Sequence, residues 1–336
     1  MNVTGYSDLL GFTQRNRTTA RVKARLDVVA REAVTGQRAD ITEATNGRVG
    51  GAHLLRKALN DLEQGTRINA LTTTRIDLLS QGISGVRNAT NGIDTRALIA
   101  LNSNGSTAID TIAEEAEANL RSSISALSVK HGSRNLLSGN ATDSAPYAGA
   151  DALLEDVRNI ITTAGGPADI RAALDTYFED PAGGFQTNIY TGGTAAAPPS
   201  RLGNNEQIDI DIRGDDTAIK NALRGLAVLA TAQDSSFDVG TEEFSEIFQD
   251  GISAAAISTG GLISLESNLG VVSETLAKAN TRNNFESLSL TAAYQTITGR
   301  DQFEAAAELK QLEVQLESSY IITARLSDLS LTNYLR

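Results

Sequence analysis

Apolar residues recur at helical spacing at both ends of this chain. Near the N-terminus they are four, three and four residues apart: Val22, Leu26, Val29 and Ala33. Near the C-terminus they are three or four apart: Phe303, Ala306, Leu309, Leu312, Leu316 and Tyr320. Such stripes are typical of amphipathic helices that pack along one side. We predict that the chain folds back on itself and that its two ends pair as a rod.

The pattern changes between the two ends. Long helices are predicted over 55–83 and 106–130, and shorter ones over 151–163 and 167–178. Isoleucines alternate with aspartates over 207–213, which predicts a half-buried strand with 186–191 as its expected partner. The pattern is helical again beyond Thr241, with breaks expected at Gly260-Gly261 and near Gly299. All five prolines lie in this middle part: Pro146, Pro167, Pro181, Pro198 and Pro199.

These elements predict a mainly α fold. We expect an elongated coiled-coil helical bundle formed by the N- and C-terminal helices, with a mixed α/β insertion domain in the middle. The predicted boundaries assign 1–47 and 298–336 to terminal helices of an assembly core. They assign 48–135 and 236–297 to a helical rod, and 136–235 to an outer α/β insertion domain.

The composition suits slim helical bundles. Aromatic residues make up only 4% of the 336 residues, and tryptophan is absent. The net charge of −12 argues against generic nucleic-acid binding, which needs a basic face. The first 38 residues carry seven basic and three acidic side chains, whereas 301–336 carry three basic and six acidic ones. These opposite charges favour pairing of the two ends.

The chain offers no pattern for disulfides, membrane insertion or cleaved secretion. It has no cysteine, no apolar run of about 18–20 residues and no basic segment followed by an apolar one at its start. We therefore expect a protein that leaves the cytoplasm only through a dedicated export machine.

We predict no enzymatic activity, no cofactor and no metal site. The only two histidines, His53 and His131, are far apart in sequence. Asp209 and Asp211 are interpreted as the solvated face of a strand. The tripeptide that begins at Arg213 is interpreted as a turn between strand and helix. Nucleotide-binding and hydrolase motifs are absent.

The terminal seams are the strongest functional candidate. An ordinary helical core is the alternative, but isolated helices of this kind are marginal in water, and we expect about 35 residues at each end to be mobile in the monomer. Apolar residues also continue to the last positions, where a terminus normally frays. The predicted assembly interface consists of Val22, Leu26, Val29, Ala33, Leu309, Leu312, Leu316, Tyr320, Leu326, Leu329, Leu331, Tyr334 and Leu335.

Both ends resemble the flagellin superfamily. The match at the N-terminus is carried by a first helix and the turn at Thr35, Gly36, Arg38 and Asp40. At the C-terminus, 301–336 resembles the family's closing helix, and the segment before it resembles the preceding coiled-coil helix. One stretch in the middle, over 136–149, resembles the hook–filament junction proteins of that superfamily. Its matching residues are Leu137, Ser138, Gly139, Thr142, Pro146 and Tyr147.

The resemblance implies a structural component of the bacterial flagellum. As a junction protein it would connect hook to filament, and it would be extracellular after export by the type III apparatus without a cleaved signal. Its partners would be copies of itself in a ring-like axial assembly, hook-associated protein 1, flagellin or the filament, and the export apparatus with a chaperone. Nucleic acid and membranes are not expected partners. The alternatives are a flagellin and, from another class, a cytoplasmic helical scaffold.

Overall fold

A computed structural model describes residues 4–44, 49–103, 105–202 and 206–334. The helices of the first half are α1 (Thr4–Thr35), α2 (Ile41–Ala44), α3 (Gly50–Thr90), α4 (Ile93–Ser103) and α5 (Ser106–Leu127). The later helices are α6 (Ala150–Thr163), α7 (Pro167–Glu179), α8 (Thr217–Thr231), α9 (Glu242–Thr298) and α10 (Gln302–Tyr334). The mainly α fold class is thereby confirmed, with long helices at both ends of the chain.

The chain divides into two compact units. Unit 1 contains Met1–Glu63 and Asn284–Arg336, and unit 2 contains Gln64–Asn283. The helices α3 and α9 contribute residues to both units. The division into assembly core, rod and outer domain stays a prediction.

The core of unit 2 is built around α8. Ala222, Leu223, Leu226 and Ala227 of this helix are fully buried. Gly225 allows the backbones of α8 and α9 to meet, because a Cβ there would lie 2.6 Å from the backbone nitrogen of Ala255. This close approach brings a continuous apolar cluster onto α8 from α5, α6, α7 and α9.

A charged network ties α7, α8 and α9 of unit 2 together. The guanidinium of Arg224 is 3.0 Å from Asp250 and 2.6 Å from Asp175, and its side chain is only 8% exposed. A buried arginine needs such partners, since an unpaired buried charge is strongly destabilising. The network therefore completes the burial of α8 rather than forming a reactive site.

The β structure of the described residues is smaller than the sequence suggests. The ladders are two antiparallel pairs of two-residue strands: β1 (Lys130–His131) with β2 (Arg134–Asn135), and β3 (Ser200–Arg201) with β4 (Gln207–Ile208). The predicted burial pattern is confirmed, because Ile208 and Ile212 are buried while Asp209 and Asp211 are exposed, but the strand itself covers only Gln207–Ile208 and not 207–213. The expected partner was wrong: Phe185–Ile189 forms a π-helical turn instead.

Two predicted helix breaks have different outcomes. α9 runs without interruption through Gly260-Gly261, so the break predicted there was wrong. The break near Gly299 is confirmed, because α9 ends at Thr298 and α10 begins at Gln302. The start of α8 is capped by Asp216, whose carboxylate accepts a hydrogen bond from the N–H of Ala218 at 3.0 Å.

Candidate functional site

The two ends of the chain meet in unit 1, where α1 packs along α10. The hydroxyl oxygens of Thr19 and Ser319 are 2.8 Å apart. Six residues further along α1, Nε of Arg25 donates to Oε1 of Glu308 at 2.9 Å. The predicted pairing of the terminal helices is thus confirmed, and a basic residue of α1 does meet an acidic one of α10.

The turn that follows α1 and the turn that precedes α10 are hydrogen-bonded to each other at one end of this helix pair. Gly36 ends α1 with φ +66°, a conformation that favours glycine. The N–H of Arg38 then donates to the carbonyl of Thr298 at 2.8 Å, and that of Arg300 donates to the carbonyl of Gly36 at 2.9 Å. We call residues 36–38 and 298–300 the turn clasp, because these backbone bonds fix where α1 ends relative to where α10 begins.

One guanidinium is shared by three carboxylates beside the turn clasp. Arg300 has a side chain only 10% exposed, and it lies 2.6 Å from Glu308, 3.8 Å from Glu304 and 3.9 Å from Glu32. Oε1 of Glu32 also accepts a hydrogen bond from the N–H of Ala39 at 2.9 Å. This cluster links the last turn of α1 to the first two turns of α10.

The seam of the helix pair overlaps the predicted one without coinciding with it. Val22 and Val29 are buried, and five predicted residues are half-buried: Leu26, Ala33, Leu309, Leu312 and Leu316. Tyr320 is 55% exposed in this chain. The side chains of Leu326, Leu329, Leu331 and Tyr334, and all of Leu335, lie outside the described residues. Whether these positions meet neighbouring subunits stays a prediction.

Three seam positions of α10 were missed by the sequence prediction. The side facing α1 follows 305, 309, 312, 316, 319 and 323, which alternates spacings of four and three. Ala305 is fully buried and Ser319 bonds to Thr19, whereas Phe303 is 90% exposed. The alternation from Leu309 to Leu316, extended in both directions, would have found these small and hydroxyl-bearing residues.

Unit 1 leaves much apolar surface exposed. Ten of the sixteen large hydrophobic residues that are exposed in the described part of the chain belong to it. They are Leu10, Val34, Leu54, Phe285, Leu288, Phe303, Val314, Tyr320, Ile321 and Ile322. Clustered exposed apolar residues mark interaction surfaces. Unit 1 therefore has the surface of a helix pair whose packing is incomplete in a single chain.

A cleft opens between α1 and α10 on the side away from the turn clasp. Its volume is about 490 Å³, and Val22 and Ile322 supply its apolar lining. Thr18 and Ser318 line its rim, and Arg15 is the charged residue among those that line it. An apolar depression with a few polar groups is a typical binding surface.

The stretch that resembles junction proteins forms a compact loop in unit 2. Leu137 and Ser138 are fully buried, and the Leu137 carbonyl accepts hydrogen bonds from the N–H of Gly214 at 2.8 Å and the hydroxyl of Tyr190 at 3.2 Å. The hydroxyl of Tyr147 donates to the carbonyl of Gly214 at 2.9 Å. Burial raises the pKa of Tyr147 well above its usual value and that of Tyr190 to about 12. We call residues 137–147 the motif loop.

The chemical candidates from the sequence do not assemble into a site. Gly214 is buried, and Asp215 has a side chain only 12% exposed, 3.4 Å from Arg213, so this tripeptide forms part of a packed turn. In the described ranges, no three His, Cys, Asp or Glu side chains come together to hold a metal ion. The helices described here also include none with the length and apolarity to cross a membrane.

The C-terminal helices carry a known sequence pattern. Residues 256–335 match the family described as the bacterial flagellin C-terminal helical region. This match includes α10 and the later part of α9. Together with the paired terminal helices, it confirms the resemblance to the flagellin superfamily over this part of the chain.

The fold resembles that of a solved structure. The crystal structure of FlgL from Bacillus cereus matches with a TM-score of 0.53 at 14% sequence identity. The match covers 72% of this chain and 99% of that one. At this identity the likeness concerns the fold. No curated protein sequence matches the chain.

Proposed function

We propose that this chain is a junction protein of the bacterial flagellum, which connects hook to filament by helix packing between subunits. The observation that carries the proposal is the fold of FlgL, which is matched over 99% of its length. The motif loop adds support, since its sequence resembles the junction proteins and its Tyr147 bonds to the carbonyl of Gly214. The exposed apolar residues of unit 1 supply the surface that such packing needs.

The proposed assembly is a ring-like axial structure made of copies of this chain. Hook-associated protein 1 on one side and flagellin on the other are the proposed neighbours. The chain would reach the cell exterior through the flagellar export apparatus, held by a chaperone and without a cleaved signal. Ordering of the terminal helices on assembly would be offset by the interface that they form.

A flagellin is the second candidate. The match of 256–335 to the flagellin C-terminal region favours it, because that description names the filament subunit. A filament subunit and a junction protein would use the same paired helices. They differ in the number of copies per flagellum and in the flagellar parts that a strain without the protein still builds.

Deletion of the gene from its own bacterium separates these candidates. A junction role predicts intact hooks, no attached filament and flagellin shed into the medium. A filament of normal length and altered composition would contradict the junction role and support a flagellin. Unchanged motility, with the protein retained in the cytoplasm of the parent strain, would support a helical scaffold instead.

A further inference from the structure

Phe303 is an aromatic side chain held outward by a rigid helix start. It is 90% exposed, although its own N–H donates to Oδ1 of Asp301 at 2.8 Å. The N–H of Glu304 points to the same oxygen at 3.3 Å. The first turn of α10 is therefore capped and ordered while the ring lies in solvent. An aromatic group that is fixed before binding loses little entropy in a contact, as expected of an interface anchor.

The cleft between α1 and α10 has the chemistry to accept such a ring. Ile322 is 53% exposed and offers apolar surface, whereas Val22, which also lines the cleft, is only 9% exposed. The rim residues Thr18 and Ser318 are small, so they leave space above this apolar lining. The volume of about 490 Å³ is ample for one aromatic side chain.

Phe303 cannot fill the cleft of its own chain. Positions 303 and 318 lie on the same helix, α10, and a rise of about 1.5 Å per residue separates them by about 22 Å along its axis. The ring and the cleft are thus two different surfaces of one rigid helix pair. A contact between them joins two copies, either reciprocally about a two-fold axis or head to tail, and the head-to-tail form is the heterologous contact that generates rings or helical arrays.

The charges around the two surfaces are complementary. Glu304 follows Phe303 directly, and its side chain is 67% exposed despite its distant contact with Arg300. Arg15 brings a positive charge to the cleft. Insertion of the ring would bring the carboxylate of Glu304 to a cleft whose charged lining residue is Arg15. Such a pair fixes partner and register more than it adds affinity.

We propose that Phe303 of one copy of this chain inserts into the α1–α10 cleft of a second copy, with Glu304 beside Arg15. In the head-to-tail arrangement that a ring-like assembly needs, neighbouring parallel copies would be staggered by about 22 Å along the helix axis. The inference deepens the proposed function, since it gives the packing between subunits a defined contact.

Cross-linking of single-cysteine variants tests the contact directly, because the chain has no cysteine of its own. Full-length Phe303→Cys and Ser318→Cys proteins are mixed and oxidised, and the disulfide-linked dimer is quantified. We expect the dimer to form about tenfold faster than from Leu288→Cys mixed with Ser318→Cys, a control with a similarly exposed residue. Equal rates for the two mixtures would overturn the proposal.

A second measurement does not depend on disulfide geometry. Phe303→Ala should weaken self-association in sedimentation by about tenfold, whereas Phe285→Ala, 69% exposed in the same unit, should leave it unchanged. Circular dichroism checks that both variants fold. Equal association of Phe303→Ala and the parent chain, or cross-linking of Phe303→Cys to added flagellin and not to a second copy, would contradict the proposal.

The two proposals can fail separately. If the cross-link forms but deletion of the gene leaves hook and filament connected, the contact stands and the junction role is wrong. If deletion sheds flagellin but the cross-link forms no faster than its control, the junction role stands and this contact is wrong.

Discussion

At the scale of single residues, the motif loop is explained by its backbone. Gly139 has φ +56°, and a Cβ there would lie 2.6 Å from the carbonyl oxygen of Ala195 and 2.7 Å from that of Gly193. Gly132 has a similar φ of +63° but nothing within 4 Å of a Cβ. The two glycines share the conformational requirement, and only Gly139 adds a steric one.

This comparison predicts unequal effects of alanine at the two positions. Gly132→Ala should lower the free energy of unfolding by about 1 kcal/mol, which is the cost of a left-handed alanine. Gly139→Ala should cost more, about 3 kcal/mol, because the loop has to open as well. Urea denaturation followed by circular dichroism measures both. Equal losses would show that the crowding around Gly139 is relieved without cost.

Two buried tyrosines, Tyr147 of the motif loop and Tyr190 outside it, make unit 2 sensitive to alkali. Burial raises the pKa of Tyr190 to about 12 in the folded chain, above the ordinary value of 10. The stability linked to this group is present below pH 10 and is lost as pH rises toward 12, since the unfolded chain ionises first. The urea midpoint should therefore fall between pH 10 and 12, and less steeply in Tyr190→Phe. Parallel curves for the two proteins would contradict this linkage.

At the scale of elements, the sequence predicts helices better than their interruptions. The helix over 167–178 was predicted, and its start carries a local signal, Pro167 at the first position of α7. The partner strand of β4 could not be predicted from the sequence, because a strand of two residues leaves no alternation to detect. Ser319 was missed for a related reason: a hydroxyl on a seam resembles a surface residue until its partner, Thr19, is known.

The glycine pair in α9 shows why a helix-breaking signal failed. Gly261 lies against α8, where a Cβ would be 2.6 Å from the Cβ of Ala218. Gly260 has nothing within 4 Å. The packing of α9 on α8 overrides the weak helix propensity of both glycines. One of them is required for close packing, and the other is not.

Alanine substitutions should therefore have opposite signs at these neighbouring positions. Gly260→Ala should raise the free energy of unfolding by about 0.5–1 kcal/mol, because alanine is the better helix former and meets no neighbour. Gly261→Ala should lower it by about 1–3 kcal/mol through overpacking against Ala218. Thermal unfolding of the two single variants distinguishes these cases. A stabilised Gly261→Ala would mean that α8 moves aside freely.

At the scale of the whole molecule, unit 1 and unit 2 differ in how much of their apolar surface they bury. Unit 2 holds the continuous core around α8, while unit 1 has a narrow seam and most of the exposed large hydrophobic residues of the described chain. Few buried contacts mean a low free energy of local opening. The terminal helices should therefore open far more often than the core.

Limited proteolysis should reveal this difference in dilute solution. We expect cleavage within about the first and last 35 residues and survival of a core that contains unit 2. Val29→Ala, which removes apolar contact from a fully buried seam position, should speed this cleavage without changing the core fragment. Mass spectrometry identifies the cut sites. Resistance of both ends would mean that unit 1 is stable without neighbours.

The pairing of Thr19 with Ser319 also sets an order of events in folding. These residues are 300 positions apart, so their contact closes almost the entire chain into one loop. The contacts within unit 2 close shorter loops of the chain. Contacts between distant residues form late, because closing a long loop costs more conformational entropy. Neither the cleft nor the outward ring of Phe303 exists until α10 has been synthesised. A partly made chain therefore lacks both halves of the proposed contact, which can form only after α10 has been made.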